Sequence, residues 1–304
     1  MGFLYLLEKI RVPVLNELML SITTWGEETA FLVIALTLFW CVDKYVGYYT
    51  LSVGFIGTIV SQFMKMWFRI PRPWLLDENF TAVEQAIPAA SGYSFPSGHT
   101  QSAVGTFGSI AYTTRNKYMR IAAIVIAALV AFSRMYLGVH TPLDVGVGIL
   151  LSVILVFALP IVFKKREKRM PFLLGGMVLL TIGYLCYLCF WLFPADVKTG
   201  ENYLHALENA YTLLGALIGL VVVYIVDEKW LNFSTRGSLA AQLLKVILGL
   251  TLVAVVKSGT KEVLNMLLGE AIGRSARYFL IVIVAGIVWP LTFRWFERIG
   301  KKEL

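Results

Sequence analysis

Long, almost uncharged apolar runs dominate this sequence, and they limit the chain to folds that satisfy every backbone hydrogen bond inside a lipid bilayer. A helix needs roughly 20 apolar residues to cross the hydrocarbon core of a membrane. Hydrophobic residues make up 58% of the 304 residues, charged residues make up 15%, and the mean hydropathy is +0.73. A soluble domain of this length does not need so much apolar surface. We therefore predict an all-α, polytopic membrane protein.

The apolar runs predict about nine transmembrane helices. These spans cover approximately residues 26-42, 46-66, 97-113, 121-138, 143-163, 171-193, 209-226, 239-256 and 278-296. The first 25 residues are apolar but are interrupted by charges and by Pro13, which is typical of an amphipathic helix in the membrane interface. The predicted organisation is an interfacial segment at 1-25, a transmembrane core at 26-168 and a transmembrane extension of unknown role at 169-304.

Basic residues are concentrated in short clusters between the apolar runs, and they give the chain a net charge of +8. The runs RNKYMR at 115-120 and KKREKR at 164-169 fall on the same side of the membrane in the predicted topology. Because an excess of Lys and Arg marks cytoplasmic loops, the loop at 67-96 is expected to face outward. No basic stripe with interleaved aromatic residues is present, so we do not predict nucleic-acid binding.

Three polar clusters break the rule that ionisable groups are scarce at membrane depth. The clusters are KMWFRIPRP, which begins at Lys65, FPSGHTQS, which begins at Phe95, and SRMYLGVHTPLD, which begins at Ser133. The predicted topology brings all three to the outward face of the membrane. The number of predicted spans between the clusters places them on the same side. No sequence motif is needed to reach this result.

The cations Lys65, Arg72 and Arg134 carry more positive charge than the neighbouring carboxylate balances, so they need an anionic partner. Phosphate fits this need, because Arg binds two of its oxygens side by side and Lys adds a point charge. Ser97 and the backbone N–H groups near Gly98, at a predicted helix start, would complete the anion site. The sequence therefore predicts a phosphate-binding site.

The two histidines of these clusters have different surroundings. His140 lies four residues before Asp144, and a carboxylate there orients the imidazole and leaves its other nitrogen free to attack. His99 has no carboxylate nearby in sequence and is free to act as a general acid and base. Helix capping or snorkelling explains any one of these groups alone, whereas their convergence favours a catalytic site.

The spacing of the three clusters resembles the signature of the type-2 phosphatidic-acid phosphatase superfamily of integral membrane lipid phosphatases. That signature reads K-x6-R-P, then P-S-G-H, then S-R-x5-H-x3-D. Every position matches in order, and the resemblance covers about residues 15 to 165. With about nine spans and an outward amino end, the topology resembles the sphingosine-phosphate and glucose-6-phosphatase branches more than the bacterial enzymes.

The resemblance implies a role for each matched residue. His140 would be the nucleophile on phosphorus, supported by Asp144, and His99 would protonate the leaving oxygen and then activate water to release a phosphohistidine. Phosphate would be bound by Lys65, Arg72, Ser97, Gly98 and Arg134. The resemblance implies no metal ion and no cofactor, and it makes residues 26-168 the catalytic core.

The implied activity is hydrolysis of a lipid phosphomonoester or pyrophosphate at the outer face of the membrane, which would be the plasma membrane in a bacterium. The expected partner is a phospholipid or isoprenoid phosphate, of the phosphatidate, sphingoid-phosphate or polyprenyl-pyrophosphate type. The sequence leaves open whether the chain forms a homo-oligomer. It also leaves open a catalytically inactive protein that binds or translocates lipid on the same scaffold. Halide oxidation by bound vanadate is a second alternative, but a soluble, secreted chain would be expected for it.

Overall fold

The computed structural model describes residues 1–299, apart from the side chains of Arg166 and Glu167. Every regular element in that part of the chain is helical, which confirms the all-α prediction. Residues 300-304 of the predicted extension 169-304 lie outside the described residues. In chain order the α-helices are α1 Gly2–Lys9, α2 Pro13–Thr23, α3 Glu28–Thr37, α4 Lys44–Phe68, α5 Pro73–Leu76, α6 Gly98–Thr113, α7 Lys117–Tyr136, α8 Pro142–Ala158, α9 Pro160–Phe163, α10 Arg166–Phe190, α11 Ala195–Thr199, α12 Glu201–Val226, α13 Leu239–Gly259, α14 Lys261–Ile283 and α15 Phe293–Phe296.

Seven helical segments in the described residues are long and apolar enough to cross a membrane. They are Lys44–Leu76, Lys117–Tyr136, Pro142–Phe163, Lys168–Phe190, Glu201–Leu231, Leu239–Gly259 and Lys261–Phe296. Each of them overlaps one predicted span. The chain is therefore a multi-pass membrane protein, as the apolar runs predict.

The predicted count of nine spans is not confirmed, because the other two predicted spans differ from simple membrane-crossing helices. Most of the predicted span 26-42 is Glu28–Val42, which forms a pair with Pro13–Gly26 that is bent by 52° and passes the length and hydropathy test only as a pair. The helix at 97-113, α6, has 16 residues. A helix of that length extends about 24 Å, which is shorter than the roughly 30 Å hydrocarbon core. The structure thus has seven candidate spans, or up to eight.

The chain divides into two compact units, and each is discontinuous in sequence. The first unit comprises Met1–Ile34, Tyr49–Ile161 and Phe193–Ala206. The second comprises Ala35–Tyr48, Val162–Leu192 and the described residues from Leu207 onward. Apolar runs specify where helices lie along the chain, but they do not specify which helices pack together, so the discontinuity of the two units has no signal in the sequence pattern.

In the first unit, α6 packs against both α7 and α8. Ala103 and Phe107 of α6 meet Ala123, Ala127 and Val130 of α7 in one buried cluster. Small side chains allow helix backbones to approach closely in membrane proteins, where packing replaces the hydrophobic effect as the main source of helix association.

A glycine brings the beginnings of α6 and α8 together. A Cβ atom at Gly148 of α8 would lie 2.9 Å from the carbonyl oxygen of Ser97, so only Gly fits there without a shift. One turn earlier on α8, the carbonyl oxygen of Asp144 accepts a 3.0 Å hydrogen bond from the backbone N–H of Ser97. The polar clusters at these two helix starts are thereby held side by side.

A second apolar cluster fixes the loop between α5 and α6 to the rest of the first unit. Met19 of α2 packs with Val83 and Ala86 of the loop and with Tyr136 and Leu137 at the end of α7. The backbone N–H of Val83 also donates to the carbonyl of Leu137 at 3.0 Å. This packing holds the loop over the end of α7, where the third polar cluster begins.

The second unit contains a buried ion pair between Lys44 and Asp227, with 2.9 Å between Nζ and Oδ2. Lys44 also donates to Oδ1 of Asn232 at 3.0 Å, and the backbone N–H of Phe233 donates to Oδ1 of Asp227 at 3.2 Å. Asp227 is fully buried. The pair ties the start of α4 to the segment that follows α12 within this unit.

We predict that Asp227→Asn lowers the melting temperature of the purified protein in detergent, as followed by intrinsic fluorescence. The substitution leaves the Lys44 ammonium buried without its charge partner, and breaking such a pair costs about 3–5 kcal/mol. Glu228→Gln is the matched control, because the Glu228 side chain is exposed and its contact with Tyr45 is a surface hydrogen bond. Equal melting temperatures for the two variants would contradict this role of the ion pair.

Candidate active site

All eight residues that the sequence analysis selected lie in the first unit, at helix ends or in the loops beside them. They are Lys65 in the last turn of α4, Arg72 before α5, Ser97 as the N-cap of α6, Gly98 and His99 in its first turn, Arg134 in the last turn of α7, His140 between α7 and α8, and Asp144 in the first turn of α8. The three polar clusters meet in the structure, because Arg72 contacts His140 and the backbone N–H of Ser97 donates to the carbonyl of Asp144.

The carboxylate of Asp144 is buried and held by several donors. Its Oδ2 accepts hydrogen bonds from the backbone N–H of Thr141 at 2.7 Å and from the hydroxyl of Ser94 at 2.6 Å. Thr141 and Asp144 form a capping box at the start of α8, so the helix end itself fixes the carboxylate. Nδ1 of His140 lies 3.5 Å from the same oxygen. The carboxylate therefore faces one nitrogen of the imidazole.

Arg72 faces the other nitrogen of that imidazole. Its guanidinium donates to three backbone carbonyl oxygens at 2.7 to 3.0 Å, and Nη1 lies 2.9 Å from Nε2 of His140. Because a guanidinium can only donate, Nε2 is the acceptor in this contact and the ring proton is assigned to Nδ1, facing Asp144. Nε2 thus presents its lone pair toward the cationic side of the site, which is the state that a nucleophile requires.

Arg134 and His99 present buried polar atoms that have no hydrogen-bond partner among the described residues. Nη1 of Arg134 donates to the hydroxyl of Thr23 at 2.6 Å, whereas Nε and Nη2 of Arg134 and Nε2 of His99 have no partner there. Unpartnered buried donors cost free energy, and each one in a folded protein calls for an explanation. The oxygens of a bound phosphate would pair with the two Arg134 donors.

Lys65 and the start of α6 complete the surroundings. The Lys65 ammonium donates to the carbonyl oxygen of Tyr93 and is buried. The hydroxyl of Ser97 caps α6 and accepts a 2.9 Å hydrogen bond from that of Thr100. A Cβ atom at Gly98 would meet no other atom within 4 Å, so there is open space beside the first turn of this helix. The N–H groups of a first turn favour an anion in such a space.

Burial and the surrounding cations lower the pKa of His140 well below its ordinary value of 6.5. Burial is the largest cause, followed by the positive charges of Arg72, Arg134 and Lys65. The 3.5 Å separation from Asp144 is longer than the ~2.7–2.9 Å of a charge-assisted hydrogen bond, so the cations outweigh the carboxylate. Both effects favour the neutral imidazole, in which Nε2 carries a lone pair.

The sequence analysis did not select Ser94 and Thr23 for the site. Ser94 is fully buried; besides its 2.6 Å bond to Asp144, its hydroxyl lies 3.4 Å from Nδ1 of His140. The one available signal for Ser94 was its position as a polar residue in the run YSFP, beside the P-S-G-H motif. Thr23 contacts Arg134 across a separation of 111 residues, and nothing near Thr23 in the sequence marks that contact.

Among the described residues, no group of three or more His, Cys, Asp or Glu side chains is placed to hold a metal ion. The buried cations of the site are Lys65, Arg72 and Arg134. This arrangement can bind a tetrahedral anion and place the neutral imidazole of His140 and the imidazole of His99 next to it.

Two family models match the chain. Residues 44–168 match the model described as "PAP2 superfamily", and this segment contains all eight selected residues. Residues 211–302, for which the sequence pattern predicts no role, match the model described as "PAP2 superfamily phosphatase, transmembrane extension". The amino-terminal helices α1 to α3 lie before both matched segments.

Curated relatives carry phosphatase names. Phosphatidylglycerophosphatase B of Bacillus subtilis (strain 168) is 33% identical over 173 residues, which are 53% of this chain and 80% of that protein. The undecaprenyl-diphosphatase of Sulfolobus acidocaldarius is 35% identical over 145 residues, 47% of this chain and 68% of that protein. Human sphingosine-1-phosphate phosphatase 2 is 26% identical over 137 residues, 43% of this chain and 33% of that protein.

We predict that Ser94→Ala lowers kcat for phosphate-ester hydrolysis about tenfold, because Asp144 loses a short hydrogen bond and holds His140 less firmly. Ser91→Ala is the matched control, since Arg72 contacts only the backbone carbonyl of Ser91 and that carbonyl is retained. The measurement is steady-state release of phosphate by the two purified variants. Wild-type kcat in Ser94→Ala would show that the hydroxyl does not support the site.

Proposed function

The chain belongs to the PAP2 superfamily, and on that premise we propose that it is a membrane-embedded lipid phosphate phosphatase that acts without a metal ion through a phosphohistidine on His140. One observation carries the proposal. The imidazole of His140 lies between Asp144 on its Nδ1 side and Arg72 on its Nε2 side, which supports Nε2 as the nitrogen that would attack a phosphoryl group bound by Arg72.

The first chemical step is attack on the phosphoryl group. Lys65, Arg72 and Arg134 would bind the phosphate oxygens and stabilise the charge that develops on them. Nε2 of His140 forms a bond to phosphorus while the bond from phosphorus to the lipid oxygen breaks. His99 donates a proton to that oxygen, and the negative charge of the bound phosphate favours the protonated imidazole that this donation requires.

The second step restores the enzyme. His99, now neutral, takes a proton from a water molecule, whose oxygen attacks the phosphoryl group on His140. The bond between phosphorus and Nε2 breaks, inorganic phosphate leaves, and His140 returns to its neutral state. His99 thus acts as the acid in the first step and as the base in the second. The proton that it gives to the lipid oxygen is replaced by the proton that it takes from water.

The relatives suggest the class of substrate. Their names refer to a phosphatidylglycerol phosphate, an undecaprenyl diphosphate and a sphingosine phosphate. These molecules share a phosphoryl group at the end of a long hydrocarbon chain. A catalytic site inside a multi-pass membrane protein suits such a lipid, because the chain remains in the bilayer while the phosphoryl group reaches the buried cations.

The distribution of charge supports one orientation of the site. The basic clusters at 115-120 and 164-169 flank α7 and α8 on the side away from the catalytic residues. Because basic loops remain in the cytoplasm, we propose that the site opens to the outer face of the membrane, which in a bacterium is the plasma membrane.

We predict that the purified protein releases phosphate from at least one lipid of the three named classes in the presence of EDTA. His140→Ala should lower that rate by about 10³-fold or more, because it removes the nucleophile. His205→Ala is the matched control, since His205 is the remaining histidine of the chain and its side chain is exposed.

Phosphate release by well-folded His140→Ala at the wild-type rate would refute the nucleophilic role. A wild-type protein that binds these lipids but releases no phosphate from any of them would instead support the catalytically inactive lipid-binding protein.

We predict that a membrane-impermeant maleimide labels Asn79→Cys in intact cells and labels Lys117→Cys only after the membrane is opened. Both side chains are exposed, and the proposed orientation places them on opposite sides of the membrane. The natural cysteines Cys41, Cys186 and Cys189 would first be replaced by Ser. The reverse labelling pattern would place the catalytic site at the cytoplasmic face.

A further inference from the structure

The segment before the family-matched region contributes to the wall of the active site. We propose that Thr23, at the end of α2, is a positioning residue that fixes the guanidinium of Arg134 in the orientation needed to bind the phosphoryl group. This inference rests on the proposed function, since it deepens the account of the same site. Neither family model includes Thr23, because the first matched residue is Lys44.

The contact between Thr23 and Arg134 is short and enclosed. Nη1 of Arg134 donates to the Thr23 hydroxyl at 2.6 Å, and the two residues are 1% and 4% exposed, respectively. No other hydrogen bond from the Arg134 side chain exists among the described residues, since Nε and Nη2 have no partner there. Thr23 is therefore the one hydrogen-bond partner in the described chain that orients this guanidinium.

The geometry of a guanidinium explains why fixing Nη1 matters. The group is planar, and its Nε–H and one Nη2–H point away from the same edge, while Nη1 lies on the far side. When Thr23 holds Nη1, the opposite edge is left with two parallel donors. Two parallel donors on one edge match two oxygens of a phosphoryl group. The unpartnered atoms of Arg134 are thus the pair that would bind phosphate side by side.

The same segment also contacts His99. A Cβ atom at Gly26, three residues after Thr23, would lie 2.8 Å from the carbonyl oxygen of His99 and 2.8 Å from Cγ1 of Val130. The turn Thr24–Gly26 therefore packs directly against the first turn of α6. Residues 23-26 therefore contact both Arg134 and the backbone of His99, although both residues are far away in the sequence.

Two contacts anchor α2 so that it can act as a support. The hydroxyl of Tyr136 donates to Oδ1 of Asn16 at 3.1 Å, which ties α2 to the end of α7 two residues after Arg134. Met19 of α2 is buried in the apolar cluster with Tyr136 and Leu137. Because α2 is anchored beside Arg134, the Thr23 hydroxyl is held in place next to the guanidinium.

The test measures the affinity of orthovanadate, which resembles the transferring phosphoryl group, by calorimetry on the purified protein. In parallel, kcat and KM are measured with a lipid that the wild type hydrolyses. Thr23→Val and Thr23→Ala remove the acceptor, Thr23→Ser keeps it, and Thr24→Val is the matched control. Thr24 is exposed, and its hydroxyl donates only to the carbonyl of Ser21 at 2.7 Å in the same turn.

We expect Thr23→Val and Thr23→Ala to weaken vanadate binding about 10-fold to 100-fold and to lower kcat/KM by a similar factor, because Arg134 loses its orientation. Thr23→Ser should stay within about threefold of the wild type, because its hydroxyl still accepts the hydrogen bond. Thr24→Val should match the wild type. In an Arg134→Ala background, Thr23→Val should cause no further loss of vanadate affinity, because the group that it positions is gone.

Wild-type vanadate affinity in folded Thr23→Val or Thr23→Ala overturns the proposal. So does a loss of affinity that is equally large in the Arg134→Ala background, since Thr23 would then act through another group. A wild type that binds vanadate but hydrolyses no lipid would refute the proposed function alone, because the vanadate measurements on the Thr23 variants still decide the positioning role.

Discussion

Asp144 is the point at which the polar segments of the first unit meet. Its side chain accepts from Ser94 and from the backbone of Thr141, and its backbone carbonyl accepts from Ser97. The same carboxylate faces Nδ1 of His140. One residue therefore connects the segment before α6 with the start of α8 and also sets the tautomer of the His140 imidazole. The capping box of α8 keeps it in place, so the geometry of the site depends on the way in which this helix begins.

The surrounding cations are held by groups that do not neutralise them. Arg72 donates to backbone carbonyls, Lys65 to another carbonyl, and Arg134 to the Thr23 hydroxyl. Neutral acceptors orient these side chains but leave their positive charge for a ligand. A bound phosphoryl group would supply the missing negative charge in a partly desolvated site, where electrostatic interactions are stronger than in water. Burial and the same excess of positive charge lower the pKa of His140, so the surroundings that favour a bound anion also favour a neutral imidazole.

The sequence predicted those features that depend on local composition and failed where distant segments meet. Apolar runs were sufficient to place the long helices, and the motif residues were recognisable by their spacing. The bounds of α6 were also predicted to within one residue, but at 16 residues it is too short to count among the candidate spans. The bend between α2 and α3, and with it the contact from Thr23 to Arg134, depends on tertiary packing at large sequence separation, which no local pattern encodes.

Trapping a phosphoenzyme would show whether His140 attacks phosphorus. In a single turnover of His99→Ala with p-nitrophenyl phosphate, the leaving group needs no proton, while the loss of His99 slows the attack of water. The account predicts rapid release of p-nitrophenolate and, after quenching in alkali, a peptide that carries one phosphoryl group on His140. Release of p-nitrophenolate and phosphate without any phosphopeptide, or a phosphoryl group on another residue, would contradict nucleophilic attack by His140.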